Sequence, residues 1–361
     1  MSIKHRLKGV ARGTFSRVVW YTGLHRLFDR VCERRLLILY GHCVDQPATN
    51  GSLDADMKIS GERLERILRA LGRRYDLVAV GEGAERLETD PMTDPSSRAA
   101  SSSLVALSMD DGYRDNLHDL VPLLERVGGR STVFLEGGAV AERRLPWLHA
   151  LGWLQRRLGP EALAERLAAA LPDQRSDLLD QPGSANRQKR ILKYDAPRVE
   201  RDAVLRDLVA SEGGDPGRIV DELYLSAGEA RELGVASAIE IGGHTVNHPV
   251  LSRLSKDEQR EEIQGGRDAI DRVLGEDAPS QAVFAYPYGR RWDFDQTSPL
   301  LVQEAGYSYA VTTHAGVNRR GTPPYLLRRW PIHDGTKLHE VATEACGAFE
   351  WLRGLGVNLV E

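Results

Sequence analysis

Cysteine is scarce in this chain: Cys32, Cys43 and Cys346 are the three in 361 residues, far apart and without a Cys-x-x-Cys pair. That pattern argues against a disulfide framework or a thiolate zinc site and fits a reducing compartment. No apolar run approaches the roughly 20 residues that span a bilayer. The first 35 residues also lack the apolar core and small-residue cleavage site of a signal peptide, so a cytoplasmic location is expected. Charge is balanced rather than one-sided. A formal net charge of -4 gives no overall drive toward nucleic acid. Aromatic residues make up only 6%, but the 41% hydrophobic content and 28% charged residues describe a globular, enzyme-sized protein with ample core.

One segment departs from that balance. Over residues 1–35, Lys4, Arg6, Lys8, Arg12, Arg17, Arg26, Arg30, Arg34 and Arg35 face only Asp29 and Glu33. Val18, Val19, Trp20, Tyr21, Leu24, Leu27 and Phe28 are interleaved among them. The segment reads either as an amphipathic helix lying on an anionic membrane surface or as a helix packed on the domain with a solvated basic face.

From residue 36 onward, short apolar runs alternate with helical periodicity. Strands are predicted at Leu36–Tyr40, Leu77–Val80, 104–109, Ser131–Leu135, Ile239–Ile241, Val283–Tyr286 and Tyr307–Thr313. Helices are predicted from about Ser60, after Asn116, from Ser226, from Ser255 to Leu274, near 299–305, and from Leu338 to Leu352. Ser226-x-x-Glu229 and Ser255-x-x-Glu258 have the form of capping boxes. Residues 89–103 read as a loop. At least seven strands alternating with helices favour a parallel (β/α) barrel for 36–361. Residues 139–225, rich in Leu, Ala, Arg and Glu, interrupt the alternation as a helical insertion that would lie over the barrel mouth.

Chemistry concentrates where strands end. Asp110 and Asp111 follow one strand, His244 and His248 another, His42 a third and Pro287-Tyr288 a fourth. In a parallel barrel all of these share one rim. One carboxylate and two imidazoles, Asp111, His244 and His248, suit a divalent ion with positions left open. Zinc is the foremost expectation; cobalt, manganese, nickel and iron also accept such donors. Asp110, beside the ligand but pointing elsewhere, is free to serve as a general base, and the Tyr288 amide can be aimed at a developing oxyanion.

The segments Asp110-Asp111-Gly112-Tyr113-Arg114-Asp115-Asn116, His244-Thr245-x-x-His248-Pro249 and Tyr286-Pro287-Tyr288-Gly289 resemble the signature motifs of the polysaccharide deacetylases. This is carbohydrate esterase family four, the NodB-homology domain. The resemblance implies a distorted (β/α)7, TIM-like barrel and metal-dependent removal of acetyl groups from sugars. By matching position it implies Asp110 as base, Asp111, His244 and His248 as metal ligands, and Tyr288 as an oxyanion-hole amide. An acid for the leaving amine is expected from His42 in Tyr40-Gly41-His42, with His333 as the rival. One departure stands out: the family usually has Arg where this chain has Ala285, and Arg328 or Arg329 is the expected replacement.

The expected function is hydrolysis of the N-acetyl group of an amino sugar, in a polysaccharide or in its lipid- or nucleotide-linked precursor. The alternatives are an O-acetyl esterase, hydrolysis of a cyclic amide, or an inactive glycan-binding barrel. Trp147, Trp153 and Trp292 are candidate stacking surfaces for sugar rings.

Overall fold

The structure, a computed structural model, describes residues 3–45, 50, 53–89, 103–275 and 281–359, with side chains from residue 8 onward. The side chains of Lys4 and Arg6, and nearly all of the loop expected at 89–103, fall outside what is described.

Ten strands occur among them: β1 (Leu36–Gly41), β2 (Cys43–Val44), β3 (Lys58–Ile59), β4 (Asp76–Val78), β5 (Leu104–Met109), β6 (Ser131–Leu135), β7 (Ile239–Gly243), β8 (Val283–Ala285), β9 (Tyr309–Val311) and β10 (Trp330–Pro331). Eight form one parallel sheet in the order β10-β1-β5-β6-β7-β8-β9, with β4 added against the first half of β5. β2 and β3 make a separate two-stranded ladder. The large sheet curls into a half-barrel with helices around it. At its far side a bridge joins Val311 to Leu327, in the segment that continues into β10.

The near-continuous apolar runs of β1 and β5 follow from having both faces covered. Leu37, Leu39, Val105, Leu107 and Met109 pack outward with Leu64, Ile67, Leu68 and Leu71 of the Gly61–Gly72 helix. Leu36, Ile38, Leu104 and Ala106 point inward with Phe134, Val283, Ala285 and Val311. Val80, Ala84 and Leu87 of the Val80–Thr89 helix close the bottom of that inner cluster. Each such side chain stabilises the fold by roughly 1.5–3 kcal/mol of apolar burial. Crowding inside explains Gly242: a Cβ there would come within 2.5 Å of the Phe134 ring.

Period-two alternation now positions the chemistry. Extending the inward positions of β1 gives Tyr40 and His42; extending those of β5 gives Ser108 and Asp110. On β7 the inward Glu240, held 2.5 Å from Thr132 Oγ1, leads to His244. Every one of these side chains is thereby delivered to the barrel mouth at the strands' C-terminal ends.

Between β6 and β7 there is no strand. Helices Trp147–Leu158, Pro160–Ala170, Arg175–Asp180, Ala185–Tyr194, Arg198–Ser211 and Pro216–Leu223 fill the interval. The first five share their own apolar cluster, including Trp147, Leu154, Leu163, Leu167, Ile191 and Leu205. Polar contacts tie this layer to the mouth: Arg198 pairs with Glu262 at 2.6 Å, and Tyr194 Oη donates to Asp293 at 2.8 Å.

Three sequence expectations change. The strand expected at Leu77–Val80 is β4, Asp76–Val78, because the chain turns at Ala79 into a helix beginning at Val80. The single last helix is two, Leu338–Ala345 and Ala348–Gly354, broken where Gly347 takes φ 81°. β10 is an additional strand, too short and too proline-bound to show a strand pattern. At the N-terminus, Ile3–Tyr21 is a helix whose Phe15 and Val19 pack toward Phe349, Cys346 and Ala348. The packed alternative therefore describes its inner face.

Candidate active site

Asp111 sits in the first loop position after Asp110 with φ 77°, a left-handed backbone that turns its carboxylate away from its neighbour's. Its Oδ1 is buried and has no hydrogen-bond partner. Facing that oxygen are His244 Nε2 at 3.3 Å and His248 Nε2 at 3.6 Å. The His244 Nδ1–H donates to the Ala285 carbonyl at 2.7 Å, which fixes the ring and leaves Nε2 for the shared point. His248 reaches it from a left-handed position, φ 50°, with its amide on Thr245 Oγ1. All three donor atoms lie within 4.8 Å of one another. Burial lowers the His248 pKa to about 3, whereas for His244 burial is outweighed by the pull of Asp111 and Asp110 and the net shift is upward. Although burial works against it, Asp111 is held well below the usual carboxylate range by His244 and His248. An unpartnered buried carboxylate oxygen facing two imidazoles fits a divalent cation.

The other Asp111 oxygen is held from behind. Tyr113 Oη donates to Oδ2 at 3.2 Å, and since that single proton is used there, His149 Nε2 at 2.8 Å is the donor to Tyr113. This chain of contacts fixes which carboxylate oxygen faces the histidines. His149 comes from the Trp147–Leu158 helix of the insertion.

Asp110 is clamped. Arg329 Nη1 and Nη2 bind its two oxygens at 2.6 and 2.9 Å, a bidentate pair, while Arg329 Nε donates to the Thr312 carbonyl. The guanidinium also lies 4.5 Å from the Tyr40 ring centre. Burial alone would raise the Asp110 pKa, but Arg329 outweighs it and the net shift is downward. Arg329 thus stands beside Asp110 in place of the Arg absent at Ala285. Arg328, pointing the other way, is exposed.

Tyr288 adopts φ 60° and among the described residues its amide N–H meets no protein acceptor. Its ring lies 4.5 Å from that of His248, and its hydroxyl accepts from Trp147 Nε1 at 3.1 Å. Trp147 is therefore buried structure rather than a stacking surface. Trp153 is partly buried, and Trp292 is exposed with its Nε1 donating to Tyr194 Oη. Lys193 extends over the Tyr288 ring, 3.3 Å from its centre, and pairs with buried Asp293 at 3.1 Å. Burial lowers the Lys193 pKa to about 8, against the pull of Asp293.

Asp110, Asp111, His244, His248, Tyr288 and His42 all line one cleft of ≈ 540 Å³. His333 does not line it. That residue sits in a turn where its Nδ1 accepts the Gly335 amide at 3.0 Å.

Residues 217–310, which hold the histidine pair and Tyr286–Gly289, match the family model for polysaccharide deacetylase. Over that segment the chain is similar to the polysaccharide deacetylases. YxkH of Bacillus subtilis, itself assigned to the polysaccharide deacetylases, is 24% identical over 112 residues. That match covers 31% of this chain and 38% of YxkH, well under half of either protein. Two solved structures share the fold. IcaB from Ammonifex degensii has TM-score 0.54 and 17% identity over 87% of this chain and 97% of its own. The Streptococcus pyogenes deacetylase PplD, solved in complex with acetate, has TM-score 0.52 and 16% identity over 87% and 98%. Asp110 and Asp111 lie outside the matched 217–310 segment and join its histidines only through the fold.

Sequence reasoning did not single out His149, Tyr113 as a support, or Lys193. Tyr113 lay within a quoted motif, but the other two are unmarked residues of amphipathic helices, and only the docking of the insertion brings them to the cleft.

Proposed function

We propose that this chain is a polysaccharide deacetylase that hydrolyses the N-acetyl group of an amino sugar. The observation that carries the reading is the buried, unpartnered Asp111 Oδ1 facing His244 and His248, next to an Asp110 held by Arg329. A divalent cation at Asp111, His244 and His248, with zinc the first expectation, would supply Lewis acidity toward the acetyl carbonyl and acidify a neighbouring water.

The chain's own residues supply the rest. Asp110, kept ionised and oriented by Arg329, accepts a proton from the attacking water. As oxygen adds to the carbonyl carbon, the former carbonyl oxygen gains charge, and the Tyr288 N–H donates to it. His42 gives a proton to the amide nitrogen as the C–N bond breaks. Water and the N-acetyl sugar become acetate and a free amino sugar. His42 is favoured over His333 because it lines the cleft and His333 is turned aside.

The exposed Tyr21, Leu24, Leu27 and Val31, flanked by Arg26 and Arg30, are the face a peripheral membrane contact would use. Among the described residues no helix is long and apolar enough to cross a membrane.

The deciding experiment incubates the metal-loaded protein with N-acetylglucosamine oligomers and with acetylated precursors, assaying acetate and free amine. Both products in equal amounts are expected. Acetate without amine would identify an esterase, and neither product would identify a binding barrel.

A further inference from the structure

Beyond the acetyl-reacting centre, the cleft is lined by cations that hydrolysis of a neutral sugar does not call for. The Ala185–Tyr194 helix of the insertion contributes Lys189, Arg190 and Lys193, and Arg290 faces them from the loop after β8. Asp110 is neutralised by Arg329, and Asp111 belongs to the cation-binding trio. Among the described residues, Asp56 is then the one remaining acid on the cleft lining. The cations do have carboxylate neighbours: Lys189 with Asp54 at 3.9 Å, Arg190 with Asp195 at 3.4 Å, and Lys193 with Asp293 at 3.1 Å. The first two pairs are long and lie among exposed side chains, where such pairs hold weakly and yield to a stronger anion. Lys193 differs, since its side chain is only 9% exposed and fixed between Asp293 and the Tyr288 ring.

A second cavity of ≈ 330 Å³ opens beside this one and shares Met57, Leu148 and Lys189 with it. Leu151, Trp153, Ile219 and Leu223 form its apolar wall, and Asp54, Gln155, Arg156 and Glu222 its polar one. Lys189 thus stands at the junction of the cleft that holds the candidate metal ligands and a neighbouring cavity with both apolar and polar walls.

We propose that Lys189, Arg190, Lys193 and Arg290 form an anion subsite, and that the substrate is an N-acetylated sugar carrying a phosphate or diphosphate. The sugar occupies the cleft, the phosphate meets the cations, and the group beyond the phosphate enters the neighbouring cavity. Its apolar wall of Leu151, Trp153, Ile219 and Leu223 suits a hydrocarbon chain, and its polar wall suits a nucleoside, the other source of the same anionic chemistry. What happens at the acetyl group rests on the deacetylase reading; the anion subsite does not.

The test separates the two. Full-length protein is titrated calorimetrically with inorganic pyrophosphate and with UDP-N-acetylglucosamine, alongside Lys189→Glu/Arg190→Glu and, as a variant outside that helix, Arg290→Gln. Saturable binding is expected. It should weaken by about tenfold or more in the double charge reversal and less in Arg290→Gln, on the scale of losing charge-assisted contacts. Acetate release is then compared among a polyprenyl-diphosphate-linked N-acetylglucosamine, UDP-N-acetylglucosamine and neutral N-acetylglucosamine oligomers. A phosphate-bearing substrate should exceed the neutral one in kcat/KM, and charge reversal should collapse that ratio. Whichever phosphate-bearing arm is faster identifies the source. No pyrophosphate binding, or binding unchanged in both variants, overturns the subsite whatever the activity. Binding that behaves as expected with acetate released from no substrate keeps the subsite and overturns the deacetylase reading.

Discussion

Two buried contacts at the cleft have consequences that can be read residue by residue. Asp110→Asn preserves the shape of the Arg329 clamp but removes the proton acceptor. It should retain bound metal and lose on the order of 10²–10⁴ in kcat; an unchanged rate would remove Asp110 from its role. Its motif made Asp110 visible in the sequence. The identity of its partner was narrowed only to two adjacent arginines, because β10 is too short to show which of Arg328 and Arg329 points inward. His149 was invisible in sequence, being one polar residue in an amphipathic helix, yet it is buried and its pKa is lowered to about 4 by burial. A histidine that stays neutral when folded but protonates near pH 6.5 when unfolded contributes stability that is complete above about pH 6.5. That contribution fades as pH falls toward 4, with a span on the order of 3 kcal/mol. His149→Gln keeps an N–H for Tyr113 without the titration. Urea unfolding at pH 7 and pH 4.5 should show a smaller loss of stability on acidification in the variant than in the wild type; equal losses would contradict the assignment.

At the scale of elements, the strands with apolar runs and the two capping boxes were legible, since burial on both faces and the Ser-x-x-Glu spacing leave a direct mark. Both boxes form as spaced, with Ser226 and Ser255 each accepting from the N3 amide. What the periodicity could not show was the break at Gly347. The helical spacing of Val341, Ala345, Phe349 and Leu352 continues across it because both short helices bury against the same core. Gly347 there is left-handed, and a Cβ would sit 3.2 Å from Cys32 Cβ and Arg35 Nε. Gly347→Ala should therefore cost about 1–2 kcal/mol through backbone strain alone, measured as a lowered urea midpoint; a variant as stable as wild type would mean that the two helices can merge. The amphipathic N-terminal helices present a second case. Their inner face is occupied by the barrel, so membrane contact depends on the exposed residues of 21–31. Leu27→Asp with Val31→Asp should reduce co-sedimentation with vesicles containing phosphatidylserine, and recovery equal to wild type would end the membrane proposal.

For the whole molecule, the curled parallel sheet is what makes distant chain segments into one site. Alternation of strands and helices was enough to anticipate it, and the two-residue repeat within β1, β5 and β7 sends His42, Asp110 and His244 to the same mouth. The helical layer between β6 and β7 was recognisable as an interruption. Its contributions were not, because which of its side chains reach the cleft depends on how helices with their own core settle on the barrel. The account as a whole stands on Asp111, His244 and His248 gripping one cation. Metal analysis of extensively dialysed protein by inductively coupled plasma mass spectrometry tests this directly. Wild-type protein should hold about one equivalent of a divalent ion, and Asp111→Ala and His244→Ala, each folded by circular dichroism, should hold only a small fraction of that. Folded variants that keep the full wild-type complement would contradict it.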